Sequence, residues 1–580
     1  MAAPTKSDGA PSRDWLYALG EKAVGATSSP SPVVVQAAPL SGRPGIEVDT
    51  IQFSDWSHFI EVPSVPIARV STPDDVVGVC NWAAQNGYTV RAVGESHNWS
   101  PILLASQQTA AKVMLVDTTK LNSCHFAVVD GVPLATFGTG ISLESATAYL
   151  ETRHNHGTGA APGYSLPHMP APGNLTLGGM LAIGAHGTCV PSGTDEPDLM
   201  GSLSNLIMGF DAVVTDPDHP TPTTYAIRHF DRADTDAAAF LVHLGRAFIT
   251  AVTLRVVPNY YLQMRCLFPD VAELFASPSG GELPAQAYSN LVDAYGRDEV
   301  LWFPFTDRGF VQCAELQSSK IEPQVPGPYN YSWMNDVTPL KSDLIAAALH
   351  ADPKITPGFG ETELACAQVT LTDKVLNGTA RDLELYLKDT TLRVTLSGWA
   401  LQIRRADVQA VASQFFQQLT SAMDTARAGG KYPVNAATEI RCTTLDRQDA
   451  LGVTGAVPPT LAATHSVAPD DPTLDTVIWF NIAVVPRTLE AYQFLTDLEG
   501  WMIDTWGADQ PVRFRPEWSK AWAWSIDGPW TNNARIAAFR ATYNQTTEGP
   551  LTFESAAATL ASYDKANLFT NPFLQTLFPS

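Results

Sequence analysis

A chain of 580 residues is longer than one ordinary hydrophobic core can use, so two or more domains are expected. With 45% hydrophobic and 16% charged residues the sequence is globular and not disordered. A formal charge of −23 argues against nucleic acid, whose phosphates need a basic surface, and against electrostatic docking on anionic lipid; a neutral or apolar small molecule suits it better.

Residues 1–56 are rich in Pro and Ser and read as an irregular arm wrapping the body. They contain no apolar run long enough for a signal peptide or a membrane span. The extended stretch Ser28–Val35 resembles the lead-in that follows a removed export signal, so a secreted bacterial protein is expected, with the cytoplasm as the alternative. A helix opens near Ser71-Thr72, where a hydroxyl can cap it, Pro73 suits the first turn, and Asp74 and Asp75 suit the dipole. It ends at Gly87, and a short strand follows into the loop Arg91-Ala-Val-Gly-Glu-Ser-His-Asn-Trp-Ser-Pro101. Small residues there let backbone N–H groups converge on an anion. A second small-residue loop, Pro172 to Gly187, and a third stretch, Gly245 to Thr250, complete the set. Two such glycine loops suggest a pyrophosphate held between them. No G-x-G-x-x-G follows an N-terminal strand, which disfavours a nicotinamide dehydrogenase.

After Pro258 the texture changes. Apolar strands (Leu301–Phe305, Leu396–Ile403, Thr476–Ala483) alternate with helices (Arg405–Arg427, Thr488–Trp506), which predicts an antiparallel sheet backed by helices. On the probable strand around Thr438-Glu-Ile-Arg441, period-two alternation puts Glu439 and Arg441 on one face. They form either a structural ion pair or a catalytic couple. Asn481 interrupts an apolar strand and needs a partner, in the sheet or in a ligand. Lys520 follows Glu517 by three residues, among Trp518, Trp522, Trp524 and Trp530; such rings fill a core or line a pocket. The seven cysteines show no CxxC pair and no metal spacing, and Cys80, Cys189, Cys266 and Cys313 read as buried thiols.

The three stretches around His97, Gly178-Gly179 and Ile249, in this order, resemble the FAD-binding domain of the vanillyl-alcohol-oxidase family. Glu-x-Arg with a downstream Trp-x-Lys sharpens the resemblance to its covalent flavoprotein alcohol oxidases, and most to the cholesterol oxidases with histidyl-linked FAD. The resemblance implies an α+β fold of two domains: an arm (1–56), an FAD-binding domain (57–258), a substrate domain with a large antiparallel sheet backed by helices (259–535), and a C-terminal segment returning to the FAD domain (536–580). It implies FAD joined through His97 and held by Val93, Gly94, Glu95, Ser96, Asn98, Trp99, Gly173, Asn174, Leu177, Gly178, Gly179, Gly184, His186, Gly187 and Ile249. No cysteine lies in Pro172–Thr176, so one covalent bond is the most expected. The catalytic set implied is Glu439, Arg441, Asn481 and Lys520, with Glu273, Trp479 and Trp518 toward the substrate.

The expected reaction is oxidation of a 3β-hydroxysterol to the ketone with Δ5 to Δ4 isomerisation, dioxygen becoming hydrogen peroxide. Polyol or aldonolactone oxidation, and a flavin-loaded sterol carrier without turnover, are the alternatives. No metal, no nucleic acid and no transmembrane segment are expected, and transient contact with membranes to extract sterol is.

Overall fold

In the computed structural model, which describes residues 46–105, 112–154, 161–192, 199–371, 374–507, 513–544 and 551–579, the helix Pro73–Asn86 begins as its capping residues dictate. The Thr72 hydroxyl accepts from Asp75 N while the Asp75 carboxylate accepts from Thr72 N at 2.9 Å, and Gly87 closes the helix at φ 70°. The helix belongs to a first sheet of β1 (Glu47–Ser54), β2 (Glu61–Arg69), β3 (Thr89–Val93) and β4 (Val113–Asp117), ordered β1-β2-β4-β3. β1 corrects the expected arm: residues 47–54 pair antiparallel with β2, because their alternation buries Phe53 beneath the hairpin. Residues 1–45 of that arm lie outside the described residues.

The chain continues through β5 (Cys124–Val129), β6 (Val132–Gly138), the two-residue β7 (Tyr164–Ser165), β8 (Ile207–Thr215), β9 (Tyr225–Asp231) and β10 (Phe248–Arg255). All but β7 make a second sheet, ordered β5-β6-β10-β8-β9. β7 pairs instead with β11 (Val257–Pro258).

The second domain is built on an antiparallel sheet of eight strands: β12 (Tyr261–Leu267), β13 (Arg297–Trp302), β14 (Gly309–Gln317), β15 (Val375–Thr379), β16 (Thr395–Ile403), β17 (Thr438–Thr444), β18 (Thr476–Val484) and β19 (Phe514–Pro516). Their order is β15-β12-β14-β13-β17-β18-β16-β19. The helices Val408–Ala428 and Glu490–Trp506 cover one face, where Phe480 stacks on Phe415 at 4.2 Å and on Trp506 at 5.4 Å. Side chains alternate across the pleat, so Glu439, Arg441, Trp479 and Asn481 project from the other face. This α+β pair of domains is the architecture expected. The tail then crosses back: Asp564 accepts from Tyr225 Oη, and Leu568 O accepts from Val90 N at 2.9 Å.

Asp298, on β13, points to the helix-covered face and is 1% exposed, with both carboxylate oxygens lacking a hydrogen-bond partner among the described residues. Burial pushes its pKa to about 8, opposed in part by Arg405. The folded pKa is raised, so its contribution to stability is complete below the unfolded pKa near 3.8 and is lost as pH rises through 8. We expect Asp298→Asn to flatten the fall in stability across that window, where one proton changes the slope by about 1.4 kcal/mol per pH unit. Denaturant midpoints measured against pH for both chains check this; parallel curves contradict it.

Candidate active site

The loop after β3 carries His97, and contacts from both domains fix it. Buried Arg91 donates to Gly245 O at 2.7 Å and to Ile102 O at 2.5 Å, tying the first loop to the third stretch. Its pKa falls to about 9 through burial, which leaves it charged at neutral pH. Ser519 O, from the second domain, accepts from Trp99 N at 2.8 Å and Ser100 N at 3.0 Å. Ser96 turns the chain with φ 53°. At Gly94 a Cβ would collide with the Thr176 side chain, so glycine lets the first and second loops meet.

Between these loops lies a cleft enclosing about 1080 Å³ of empty space including its mouth. Val93, Gly94, Glu95, Ser96, His97, Asn98, Gly178, Gly179 and Ile249 line it, joined by Thr118, Thr139, Thr176, Gly245 and Phe569. A mostly apolar cleft walled by small residues and hydroxyls suits a dinucleotide. The His97 ring fits the attachment point: its Nδ1 is buried without a hydrogen-bond partner among the described residues. Burial, aided by Lys520, lowers its pKa to about 3, so the imidazole is neutral.

Facing the loops, the second sheet supplies a chain of paired charges. The register sets Glu439 opposite Asn481 on β18, and Glu299 of β13 opposite Arg441 on β17. Arg441 Nη1 reaches Glu299 at 3.4 Å, and Nη2 lies 3.7 Å from Glu439 and donates to Asn481 Oδ1 at 2.9 Å. Asn481 Nδ2 donates to Glu517 Oε2 at 2.6 Å, and Glu517 Oε1 lies 3.8 Å from both Lys520 Nζ and His186 Nε2. Lys520 Nζ sits 4.0 Å over the Trp99 ring, a cation–π contact that ends the chain beside His97. Gly398, paired with Asn481, leaves room for this: a Cβ there would stand 2.6 Å from Asn481 Nδ2 and 2.7 Å from Glu517. On the far side, Tyr386 Oη donates to Glu299.

Three carboxylates thus face two cations in a buried space. Burial would raise Glu517, but Lys520, His186 and Arg441 overcome it and hold that carboxylate well below its usual range. Burial raises Glu439, with Glu299 adding to the rise and Arg441 opposing it. Glu439 also accepts no hydrogen bond among the described residues, so its oxygens keep acceptor capacity that Glu517 spends on Asn481 and Glu299 on Arg441 and Tyr386. Lys520 is lowered by burial, against the pull of Glu517 and Glu439.

Several expected residues fall elsewhere. Trp518 does not face a substrate space: it is 1% exposed, stacks on Tyr543 at 5.4 Å and donates to Leu461 O. Tyr543 and Phe553 of the C-terminal segment and Trp522 of its own segment enclose the ring and make it core. Glu273 is exposed on the four-residue helix Val271–Leu274. The next residues of its chain, Leu274 and Phe275, pack toward Val300 and Phe416 on the helix-covered face, opposite the cluster.

His186 stacks on Trp479 at 3.7 Å and reaches Glu517, so it joins the charged chain and not the cleft wall. Leu177 is fully buried core, and Gly173 abuts Tyr329 and Leu385. Gly184 packs on Val242, Gly187 on Met169 and His168, and Trp99 lies behind the loop. Asn174 Oδ1 is buried without a partner among the described residues. Glu299 and Tyr386 join the site without having been marked by any motif in the sequence. The one signal was Arg297-Asp-Glu299 heading an apolar strand, which is costly to bury without partners. The expected aromatic lining is replaced by a compartment of about 460 Å³ including its mouth, where Glu299, Arg441 and Tyr386 meet Met169, Met264 and Leu383.

The comparisons with known proteins cover both domains. Residues 66–196 match the family model "FAD binding domain" and residues 264–579 match "Cholesterol oxidase, substrate-binding". Among solved structures, a solvent-stable cholesterol oxidase is 33% identical over 93% of this chain and 100% of its own, with a TM-score of 0.86. A cholesterol oxidase from B. sterolicum is 31% identical over 94% and 100%, with a TM-score of 0.87. A chitooligosaccharide oxidase, 12% identical over 90% and 93%, shares the fold with a TM-score of 0.51. No curated protein matches. With these matches spanning both domains, the chain belongs to the cholesterol oxidase family of FAD-binding oxidoreductases.

Proposed function

We propose that this protein oxidises the 3β-hydroxyl of a sterol such as cholesterol, isomerises the Δ5 double bond to Δ4, and reduces dioxygen to hydrogen peroxide. The observation that carries the reading is the buried chain Glu299–Arg441–Asn481–Glu517–Lys520, with Glu439 against Arg441, ending over Trp99 beside His97. FAD, held by the two glycine loops and joined at His97, supplies the two-electron acceptor for the alcohol carbon and the link to dioxygen.

The chain's own groups do the rest. Glu439 takes the hydroxyl proton, because it is the carboxylate with open acceptor capacity and a pKa raised by burial. It is also placed to move a proton across the ring carbons during isomerisation. Asn481 spends its oxygen on Arg441 and one N–H on Glu517, which leaves one N–H to orient the alcohol oxygen. Arg441 and Lys520 hold positive charge where negative charge grows on reduction. Met169, Met264 and Leu383 give the compartment an apolar side for a steroid skeleton, alongside the polar Arg297, Glu299, Gln312, Glu384, Tyr386 and Arg441. Secretion and brief contact with membranes to draw sterol fit this substrate; among the described residues no helix is long and apolar enough to cross a membrane.

Peroxide release tested with cholesterol, an alditol and an aldonolactone separates the readings. Cholesterol is expected to turn over and give the ultraviolet absorbance of a conjugated enone. Turnover of only the sugars assigns the protein to polyol or lactone oxidation, and no turnover leaves a carrier. Replacing His97 by Ala is expected to leave the flavin removable by acid precipitation; flavin still fixed to that denatured chain assigns the bond to another residue.

A further inference from the structure

The hairpin turn between β1 and β2 carries one aromatic ring into the cofactor region. Asp55 builds the turn: its carboxylate accepts from Ser57 Oγ at 2.8 Å and Ile60 N at 3.0 Å, and Asp55 N donates to Ile60 O at 3.0 Å. Trp56 is then clamped by its backbone, whose N–H donates to Ser96 O at 3.0 Å, and by its indole Nε1, which donates to Asp389 O at 3.3 Å. Its ring lies flat on His97, with centroids 4.4 Å apart and planes 5° from parallel. Trp99 meets the same imidazole edge-on at 5.5 Å and 74°. His97 sits in a corner of two indoles.

A histidine that must present one nitrogen in a fixed direction is ordinarily aimed by a hydrogen bond on the other. His97 makes no hydrogen bond through its ring among the described residues, and its Nδ1 is buried. Among the described residues, the two indoles are the rings that set its plane. We infer that Trp56 is a positioning residue for covalent flavin attachment, holding the neutral imidazole in line for bond formation. This rests on the reading of His97 as the attachment point. In that step an imidazole N–H and a C–H of the flavin methyl group are lost and one N–C bond forms. The two electrons and two protons released pass through the flavin ring to dioxygen, which becomes hydrogen peroxide. The indole forms no bond; it lowers the orientational freedom the step must overcome.

The test compares full-length wild type, Trp56→Leu and Trp56→Phe, produced in flavin-depleted cells and then given FAD and air. The flavin remaining with acid-precipitated protein is followed against time, and non-covalent FAD binding is measured separately. Trp56→Leu is expected to bind FAD but to attach it about ten- to a hundredfold more slowly. Trp56→Phe, which keeps a flat ring and loses the bond to Asp389, is expected within a few fold of wild type. Trp56→Met repeats the comparison if the leucine chain does not fold. Attachment by the leucine or methionine chain at the wild-type rate overturns the inference, as does a phenylalanine chain as slow as they are. A wild type that releases all its flavin on precipitation instead overturns the His97 reading.

Discussion

Replacing Glu439 by Gln is expected to slow the anaerobic reduction of bound flavin by cholesterol about 10²- to 10⁴-fold, the range for losing a general base. Glutamine keeps the shape and can still face Arg441, but it cannot accept a proton. The effect is expected in the rate of reduction and not in sterol affinity, because the alcohol loses its proton only as it reacts. Glu299→Gln is the comparator. Glu299 is committed to Arg441 and Tyr386, so its loss loosens the guanidinium without removing the acceptor, and a smaller effect is expected. Stopped-flow reduction of both variants decides between the carboxylates: a collapse with Glu299→Gln and a normal rate with Glu439→Gln transfers the role to Glu299.

Arg535→Ala is expected to cost about 3–5 kcal/mol of stability, the penalty for stranding a buried charge. Its partner Glu499 is 0% exposed and accepts from Arg535 Nη1 at 3.0 Å, Trp399 Nε1 at 2.9 Å, Ala523 N at 2.9 Å and Trp524 N at 3.0 Å. One carboxylate thus joins the helix Glu490–Trp506 to β16 and to the Trp-rich segment that follows Lys520. Burial raises its pKa to about 7, with Arg535 the main opposing influence. Since the folded pKa is raised, the stability tied to the protonated form is complete below the unfolded value near 4.5 and is lost as pH rises through 7. Without Arg535 that loss extends further toward alkaline pH. Denaturant midpoints at pH 5 and pH 8 are expected to separate variant from wild type more widely at the higher pH; equal separation contradicts it.

Local patterns carried much of the site. Glu439 and Arg441 share a face because they are two apart on a strand, and the small-residue loops announced themselves by composition. The hidden part lay in pairing between distant segments. Glu299 reaches Arg441 across 142 residues of sequence, and nothing near residue 299 names its partner. Trp56 was assigned to an arm because the hairpin that anchors it depends on pairing between β1 and β2. Trp518 belongs to the core because Tyr543 and Phe553, far along the sequence, close over a ring that also meets its neighbour Trp522. Clustered tryptophans look alike in a sequence whether they fill a core or line a pocket. Glu273 has no patterned partner in the sequence, and its helix packs on the face of the sheet opposite the cluster.

The most direct test is a titration of the purified protein with cholesterol in the absence of oxygen, followed through the visible flavin spectrum. Complete bleaching with about one sterol per flavin is expected, with the oxidised spectrum returning on admission of air. A flavin that stays oxidised in excess cholesterol, or that bleaches with an alditol instead, contradicts it.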